Sequence, residues 1–260
     1  YQMYQMDKIP ESAAVNESVE LAKQYCRKQR NASGLVNAVL RNAARTKGSL
    51  QEPNSWEDKY SHPGDLINLL KSYVGKERIE PMLMANNAVA PIFAQVNTQR
   101  TTTEALLEKL AGEGVTAQMH PWLADCLILS GTGSMEQLNS FREGLYYIQD
   151  PAAKLSVLCA EITPGQKVLD CCAAPGGKSF AAAIAGAEEI TSCDIHPHKI
   201  ELIAKGAERL GFTQICAIEQ DATAFNPDWE EKMDTVITDV PCSGFGIIRK
   251  KPDIRYKSLT

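Results

Sequence analysis

Apolar residues recur at two different periods along this chain, and the change of period divides it. Val15, Val19, Ala22 and Cys26 fall at i, i+4, i+7 and i+11, one stripe of an amphipathic helix. Leu35, Val36, Val39, Leu40 and Ala43 make a second such stripe, with Arg41 and Arg45 outside it. The polar stretch Lys47–Pro53 breaks the pattern and reads as a linker. Helical spacing resumes over residues 54–90, where Leu66, Leu69, Leu70 and Tyr73 form the predicted apolar face. From Pro91 to Asn97 the pattern turns β-like, and Thr101-Thr102-Thr103-Glu104 then signals a helix start before Ala105–Gly112. Val115–Met119 and Leu127–Leu129 are predicted short strands.

Beyond Phe141 the pattern becomes a regular alternation. Strands are predicted at 167–171, 190–193, 215–219 and 234–238, with helices at 177–187 and 197–210 between them. Strands alternating with helices of this length imply βαβ units and a parallel sheet. The expected architecture is α/β, with three parts: a helical region over 1–50, a helical connector and small α+β subdomain over 51–140, and an α/β domain over 141–260.

Composition narrows the class. Hydrophobic content of 44% and charge of 23% are ordinary for a globular protein. No apolar run approaches the ~20 residues of a membrane span, and no charged-then-apolar leader opens the chain; a cytoplasmic protein is expected. The eight cysteines include no Cys-x-x-Cys pair, so reduced thiols are expected rather than disulfides or a zinc site. Net charge is −5, unevenly spread: residues 1–50 carry eight Lys/Arg against four Asp/Glu, and residues 51–260 carry nineteen against twenty-eight. A second basic cluster, Arg249, Lys250, Lys251, Arg255 and Lys257, lies near the end. Local patches of this kind either contact phosphate or are solvated faces.

The candidate chemistry sits at predicted strand ends. The strand Val168-Leu169-Asp170 runs into Cys171-Cys172-Ala173-Ala174-Pro175-Gly176-Gly177-Lys178 and then a helix. Such a turn admits a ligand close to the backbone, yet it lacks the G-x-G-x-x-G spacing of dinucleotide enzymes. Asp194 ends the next strand, where a carboxylate accepts hydrogen bonds from ribose hydroxyls or caps the following helix. Asp221 follows the third strand and Asp239 the fourth, the latter leading into Val240-Pro241-Cys242-Ser243-Gly244. Cys171, Cys172 and Cys193 read as packing residues. His196 and His198 lack further ligands, so no metal is expected.

The Cys172–Lys178 loop and the Asp239–Cys242 segment together resemble the RNA (cytosine-5) methyltransferase family. Asp194-Ile195-His196-Pro197-His198-Lys199, Pro252-Asp253-Ile254-Arg255 and Phe141-Arg142-Glu143-Gly144 with Gln149-Asp150 are similar to its RsmB (Sun) branch. Ile9-Pro10, Ala13–Glu17 and Gly34–Arg41 resemble the end of a NusB-like RNA-binding domain, and Tyr60-Ser61-His62-Pro63 the connector after it. The resemblance implies a Rossmann-like methyltransferase domain that takes S-adenosylmethionine and modifies one cytosine of small-subunit (16S) ribosomal RNA. Cys172, Ala173, Ala174, Pro175, Gly176, Gly177 and Lys178 would hold the methionine part, Asp194 the ribose and Asp221 the adenine amine. Asp239 would lie between cofactor and target base. A monomer is expected.

The family's chemistry is covalent: a cysteine thiolate adds to carbon 6 of the base, which must leave its stack to reach the pocket. In RNA enzymes of this family the nucleophile stands in a Thr-Cys motif after the fifth strand, and the Pro-Cys residue, here Cys242, assists product release. The chain ends at Thr260 without a Thr-Cys motif, so the resemblance implies a partial NusB-like domain, a shortened sheet and an absent nucleophile. Two rival readings remain: a non-catalytic RNA-binding protein on a methyltransferase scaffold, and cytosine-5 methylation of large-subunit or transfer RNA. Amino-group methylation fits less well, because Asp239-Val240-Pro241-Cys242 offers a thiol where such sites place an aromatic ring.

Overall fold

A computed structural model describes residues 2–6, 8–26, 29, 31–49 and 53–259. Arg27, Lys28 and Arg30 of the front basic patch, residues 50–52 of the expected linker, and Tyr1 and Thr260 lie outside them. Two compact units emerge: one runs to Met84 and takes in residues from Arg255 onward, and the other spans Ala85–Ile254.

The first unit is helical. It contains α1 (Gln2–Gln5), α2 (Glu11–Tyr25), α3 (Ala32–Thr46), α4 (Trp56–Tyr60), α5 (Gly64–Val74) and most of α6 (Lys76–Asn87). On α2, Ala14 and Val15 are buried with Met3, and Val19, Leu40, Ala43 and Ala44 pack against them. Leu35 and Val39, expected in the core stripe of α3, are instead 65% and 57% exposed. The apolar stripe is wider than the α2 face that covers it. A second core joins Tyr60, Ile67, Ile79 and Leu83, with Trp56, Leu70 and Val74 against them. Tyr73, also expected inside, is exposed, because the buried stripe of α5 is rotated toward Ile67 and Val74. Arg255 is buried here and donates to the carbonyls of Tyr60 (3.3 Å) and Ser61 (2.9 Å). That part of the closing basic cluster serves structure.

The second unit holds two sheets. β1 (Ile92–Val96), α7 (Thr103–Gly112), β2 (Thr116–Met119), β3 (Cys126–Ser130), α8 (Asn139–Arg142) and β4 (Tyr146–Ile148) build an antiparallel sheet of order β2-β3-β1-β4. Thr102 caps α7 by accepting the Ala105 N–H. Ala94, Val96, Leu127 and Tyr146 face Leu106 and Leu110 of that helix. β4 was not predicted; it pairs Tyr147 with Gln95 across about fifty residues of chain.

After α9 (Pro151–Leu158) come β5 (Lys167–Asp170), α10 (Gly177–Ala185), β6 (Glu189–Asp194), α11 (Pro197–Leu210), β7 (Ile215–Glu219) and β8 (Thr235–Ile237). Their strands form a parallel sheet of order β7-β6-β5-β8. The α/β, Rossmann-like class inferred from the sequence is the fold observed. Val168 and Ile190 pack with Phe180, Ala183 and Leu210 from the helices on one face. The antiparallel sheet is bonded to the helix ends. Asn97, fully buried, donates to the Gly144 and Leu210 carbonyls at 2.9 Å each, and Arg100 donates to those of Glu143 (2.6 Å) and Arg209 (2.9 Å). These bonds satisfy α11 carbonyls that have no partner within their own helix.

Candidate active site

Strand order places the site. The chain leaves β5 toward β6 and β7 on one side, then crosses to β8 on the other. Loops at the carboxyl ends of β5 and β8 therefore diverge, which opens the crevice where parallel α/β sheets bind ligands. A cleft of about 500 Å³ lies there, lined by Cys172, Ala174, Asp194, Asp221, Asp239 and Pro241. That volume is in the range of small-molecule sites.

The β5 loop is tied to both neighbouring strands: Cys171 N–H donates to the Ile237 carbonyl at 2.9 Å and Ala173 N–H to that of Cys193 at 2.7 Å. Ala173 is buried and does not reach the cleft. Pro175 follows a cis peptide bond, and Gly176 sits at φ +110° at the start of α10. A Cβ on Gly176 would stand 2.4 Å from the Phe180 ring, and one on Gly177 would stand 3.0 Å from Gln149 Nε2. The glycine pair thus makes room for packing beneath the loop as much as for a ligand above it. Lys178 Nζ lies 2.5 Å from Asp239 Oδ2, joining the first loop to the β8 loop.

The three predicted carboxylates converge with different surroundings. Asp194 is 7% exposed; it accepts the His196 N–H at 3.1 Å and Lys199 Nζ at 3.4 Å. It fixes the backbone at His196, just before α11, and lines the cleft; the helix itself has no side-chain cap. Asp221 accepts both the Thr223 N–H (2.8 Å) and its hydroxyl (2.7 Å) on Oδ1. Those two bonds hold its pKa below the usual carboxylate range. Asp239 is largely exposed apart from its Lys178 contact. Cys242 is exposed one residue beyond Pro241.

The other thiols near the site are held protonated. Burial, and then the carboxylates of Asp194, Asp170 and Asp239, push the Cys172 thiol up. Burial raises Cys171 as well, and drives Cys193 up to about 12. No group of three or more His, Cys, Asp or Glu among the described residues is placed to hold a metal.

Sequence reading overlooked Asp170. It is fully buried at the end of β5; Oδ2 accepts the Ser179 hydroxyl at 2.8 Å, and Ser179 accepts that of Ser192 at 2.7 Å. Oδ1 has no partner in hydrogen-bonding geometry. Burial pushes its pKa up to about 6, against the opposing pull of Ser179, Lys178 and the Cys172 amide. An acid directly after Val168-Leu169 at the end of the strand was the available signal.

Comparison with known proteins places this geometry in a family. Residues 157–259 match the family model for 16S rRNA methyltransferase RsmB/F, residues 62–136 the ferredoxin-like domain of RsmF/B-like methyltransferases, and residues 1–45 the NusB family. The chain is 34% identical to a probable ribosomal RNA small subunit methyltransferase B of Bacillus subtilis over 98% of its own length, and 35% identical to the Vibrio cholerae protein of that name over 98%. It spans 58% and 59% of those two relatives. Among solved structures, that of PH0851 superposes with a TM-score of 0.77 at 22% identity, covering 96% of this chain and 58% of that one. NSun6 from Pyrococcus horikoshii with SFG gives 0.61 at 18% identity, covering 70% of this chain and 71% of that one. These likenesses carry the fold alone. The family models and the bacterial relatives carry more: over residues 62–136 and 157–259 this chain matches the RsmB/F methyltransferases.

Proposed function

We propose that this chain forms the donor-binding and target-positioning part of a methyltransferase that uses S-adenosylmethionine to modify carbon 5 of a cytosine in small-subunit ribosomal RNA. The observation that carries the reading is the meeting of Asp194, Asp221, Asp239 and Pro241 around one cleft at the sheet's switch point, with Cys242 the next residue along the chain. The bacterial relatives are named for small-subunit ribosomal RNA methylation.

The residues present fit the donor. Asp194 retains acceptor capacity for ribose hydroxyls beyond the two bonds it makes. Both bonds to Asp221 fall on Oδ1, leaving Oδ2 to accept from an exocyclic amine. Cys172 and Ala174 line the side nearest β5, where the methionine part would rest. S-adenosylmethionine supplies an electrophilic methyl group when bound. Asp239, paired with Lys178, would hydrogen-bond the cytosine and orient it.

Carbon 5 of cytosine is a weak nucleophile. Addition of a cysteine thiolate to carbon 6 makes it electron-rich enough to take the methyl group. A base then removes the carbon 5 proton, and the carbon–sulfur bond breaks. Cys242 assists that release. The attacking thiolate belongs to a Thr-Cys motif, and no such pair occurs in residues 1–260. Cys171, Cys172 and Cys193 are unsuited to attack, since their thiols are held protonated.

The test is transfer of labelled methyl from S-adenosylmethionine to unmodified small-subunit ribosomal RNA, followed by nucleoside analysis. A form extended to the length of the relatives should yield 5-methylcytosine, and its Cys242→Ser variant should accumulate a denaturation-resistant protein–RNA adduct. Label on any other atom rejects the assigned chemistry. Label from residues 1–260 alone rejects the second cysteine.

A further inference from the structure

Trp122 is 63% exposed, yet the loop that carries it is held from several sides. Leu123 beside it is buried and donates its N–H to His120 Nδ1 at 3.2 Å. Asp125 takes the Thr103 hydroxyl at 2.7 Å, and its carbonyl takes the Val96 N–H at 2.9 Å. Lys154 Nζ reaches the Ala124 carbonyl at 3.4 Å. A tryptophan so exposed adds little to the core, and the order of its loop lowers the cost of binding something there.

Two further rings stand behind it. His120 meets Trp122 edge-on with centroids 4.5 Å apart, and Phe93 meets His120 at 5.7 Å. Phe93 lies on the central strand β1, on the face opposite the Ala94–Val96 core. The inner half of that face is already covered, since Gln95 bonds the Gln149 carbonyl and Tyr147 packs on Phe180. The outer half, with Phe93, His120 and Trp122, is where the aromatic surface continues. Four-stranded antiparallel sheets with aromatic rings on one face stack unpaired bases of single-stranded RNA.

Positive charge flanks this half. The Phe93 carbonyl accepts the Gln149 N–H at 3.2 Å, and the adjoining Asp150 pairs with Lys250 at 2.7 Å. Arg249 donates to the carbonyls of Ala88 (3.3 Å) and Val89 (2.7 Å), on the approach to β1. Among the described residues no carboxylate pairs with Arg249, so its charge stays available to a phosphate. This segment begins seven residues after Cys242, and it links the aromatic surface to the catalytic loop.

We propose that Trp122, backed by His120 and Phe93, is a stacking platform for an unpaired base flanking the target cytosine, with Arg249 on the connecting phosphate backbone. This rests on the RNA-methylating reading above and adds where the substrate is gripped outside the cleft. The experiment measures binding of an unstructured oligoribonucleotide, and of an abasic oligomer with the same number of phosphates, to the wild type, Trp122→Ala and Trp122→Phe. Affinity for S-adenosylhomocysteine is followed in parallel.

Trp122→Ala should lose about five- to a hundredfold in affinity for the base-bearing oligomer, and Trp122→Phe should recover most of it. Donor affinity and abasic binding should not move. The base-bearing oligomer should quench tryptophan emission in the wild type more than in Trp122→Phe. Equal affinity of wild type and Trp122→Ala overturns the platform while leaving the methylating reading intact, as would a protein partner on this face. Equal quenching by the abasic oligomer also overturns it. A wild type that binds no RNA at all overturns both.

Discussion

Asp170 shows what a single buried acid can impose on this fold. Its carboxyl is fully buried with one oxygen unbonded, and its pKa rises from an ordinary 3.8 to about 6. The folded chain therefore binds a proton that the unfolded chain has released between roughly pH 4 and 6. Stability conferred by the protonated form is present below pH ~4 and is lost as pH rises through about 6. A shift of about two units corresponds to about 3 kcal/mol. Asp170→Asn should keep an acceptor for Ser179 and flatten the stability profile over that range, read by urea unfolding at pH 4, 5, 6 and 7; an unchanged slope would mean that Asp170 does not titrate there. Asp194→Ala should act differently, weakening S-adenosylmethionine binding at least tenfold with RNA affinity unchanged, as calorimetry would read. Equal loss of both would make its structural bonds to His196 and Lys199 the dominant role. Asp194, Asp221 and Asp239 could be found in sequence because each ends or follows a predicted strand. Asp170 also ends a strand and could have been singled out on that ground, but its burial against Ser179 and Ser192 could not be read, because only the packing of α10 and β6 brings them to it.

Elements with strong local signals were predicted within a residue or two, and those built on long-range contacts were not. Helix α11 and strand β7 match their predicted bounds, since Pro197, Gly211 and the apolar periods mark them locally. Strand β4 is three residues long and owes its conformation to β1, so no local pattern announces it. Gly176 belongs to this scale too. The Gly-Gly pair was visible as a turn, but the ring of Phe180 beneath it was not. Gly176→Ala combines a Cβ 2.4 Å from that ring with a φ of +110°. It should cost about 2–4 kcal/mol and lower the thermal midpoint; a midpoint within one degree of wild type would show that Phe180 yields freely. Asn97→Ala tests the bonding between the antiparallel sheet and α11. Two buried carbonyls, Gly144 and Leu210, would lose their donor, at about 1–3 kcal/mol each. The loss should appear in urea unfolding.

For the molecule as a whole, net charge misleads and its distribution informs. A chain at −5 should repel a polyanion at long range, yet short screening lengths leave local cations free to act. The structure divides the closing basic cluster by what each member touches. Arg255 is spent on the Tyr60 and Ser61 carbonyls inside the first unit, and Lys250 on Asp150. Arg249 is fixed in place by carbonyls, which hold its position without neutralising it. A sequence count treats these residues alike; their partners separate them. If Arg249 meets a phosphate, one counterion fewer is released when it is removed. Arg249→Ala should then lower the slope of log affinity for single-stranded RNA against log salt by about 0.7, weakening binding alike for every base sequence. Trp122→Ala should lower affinity at all salt concentrations and leave that slope alone. An unchanged slope for Arg249→Ala would mean that Arg249 serves only the Ala88 and Val89 carbonyls and meets no phosphate.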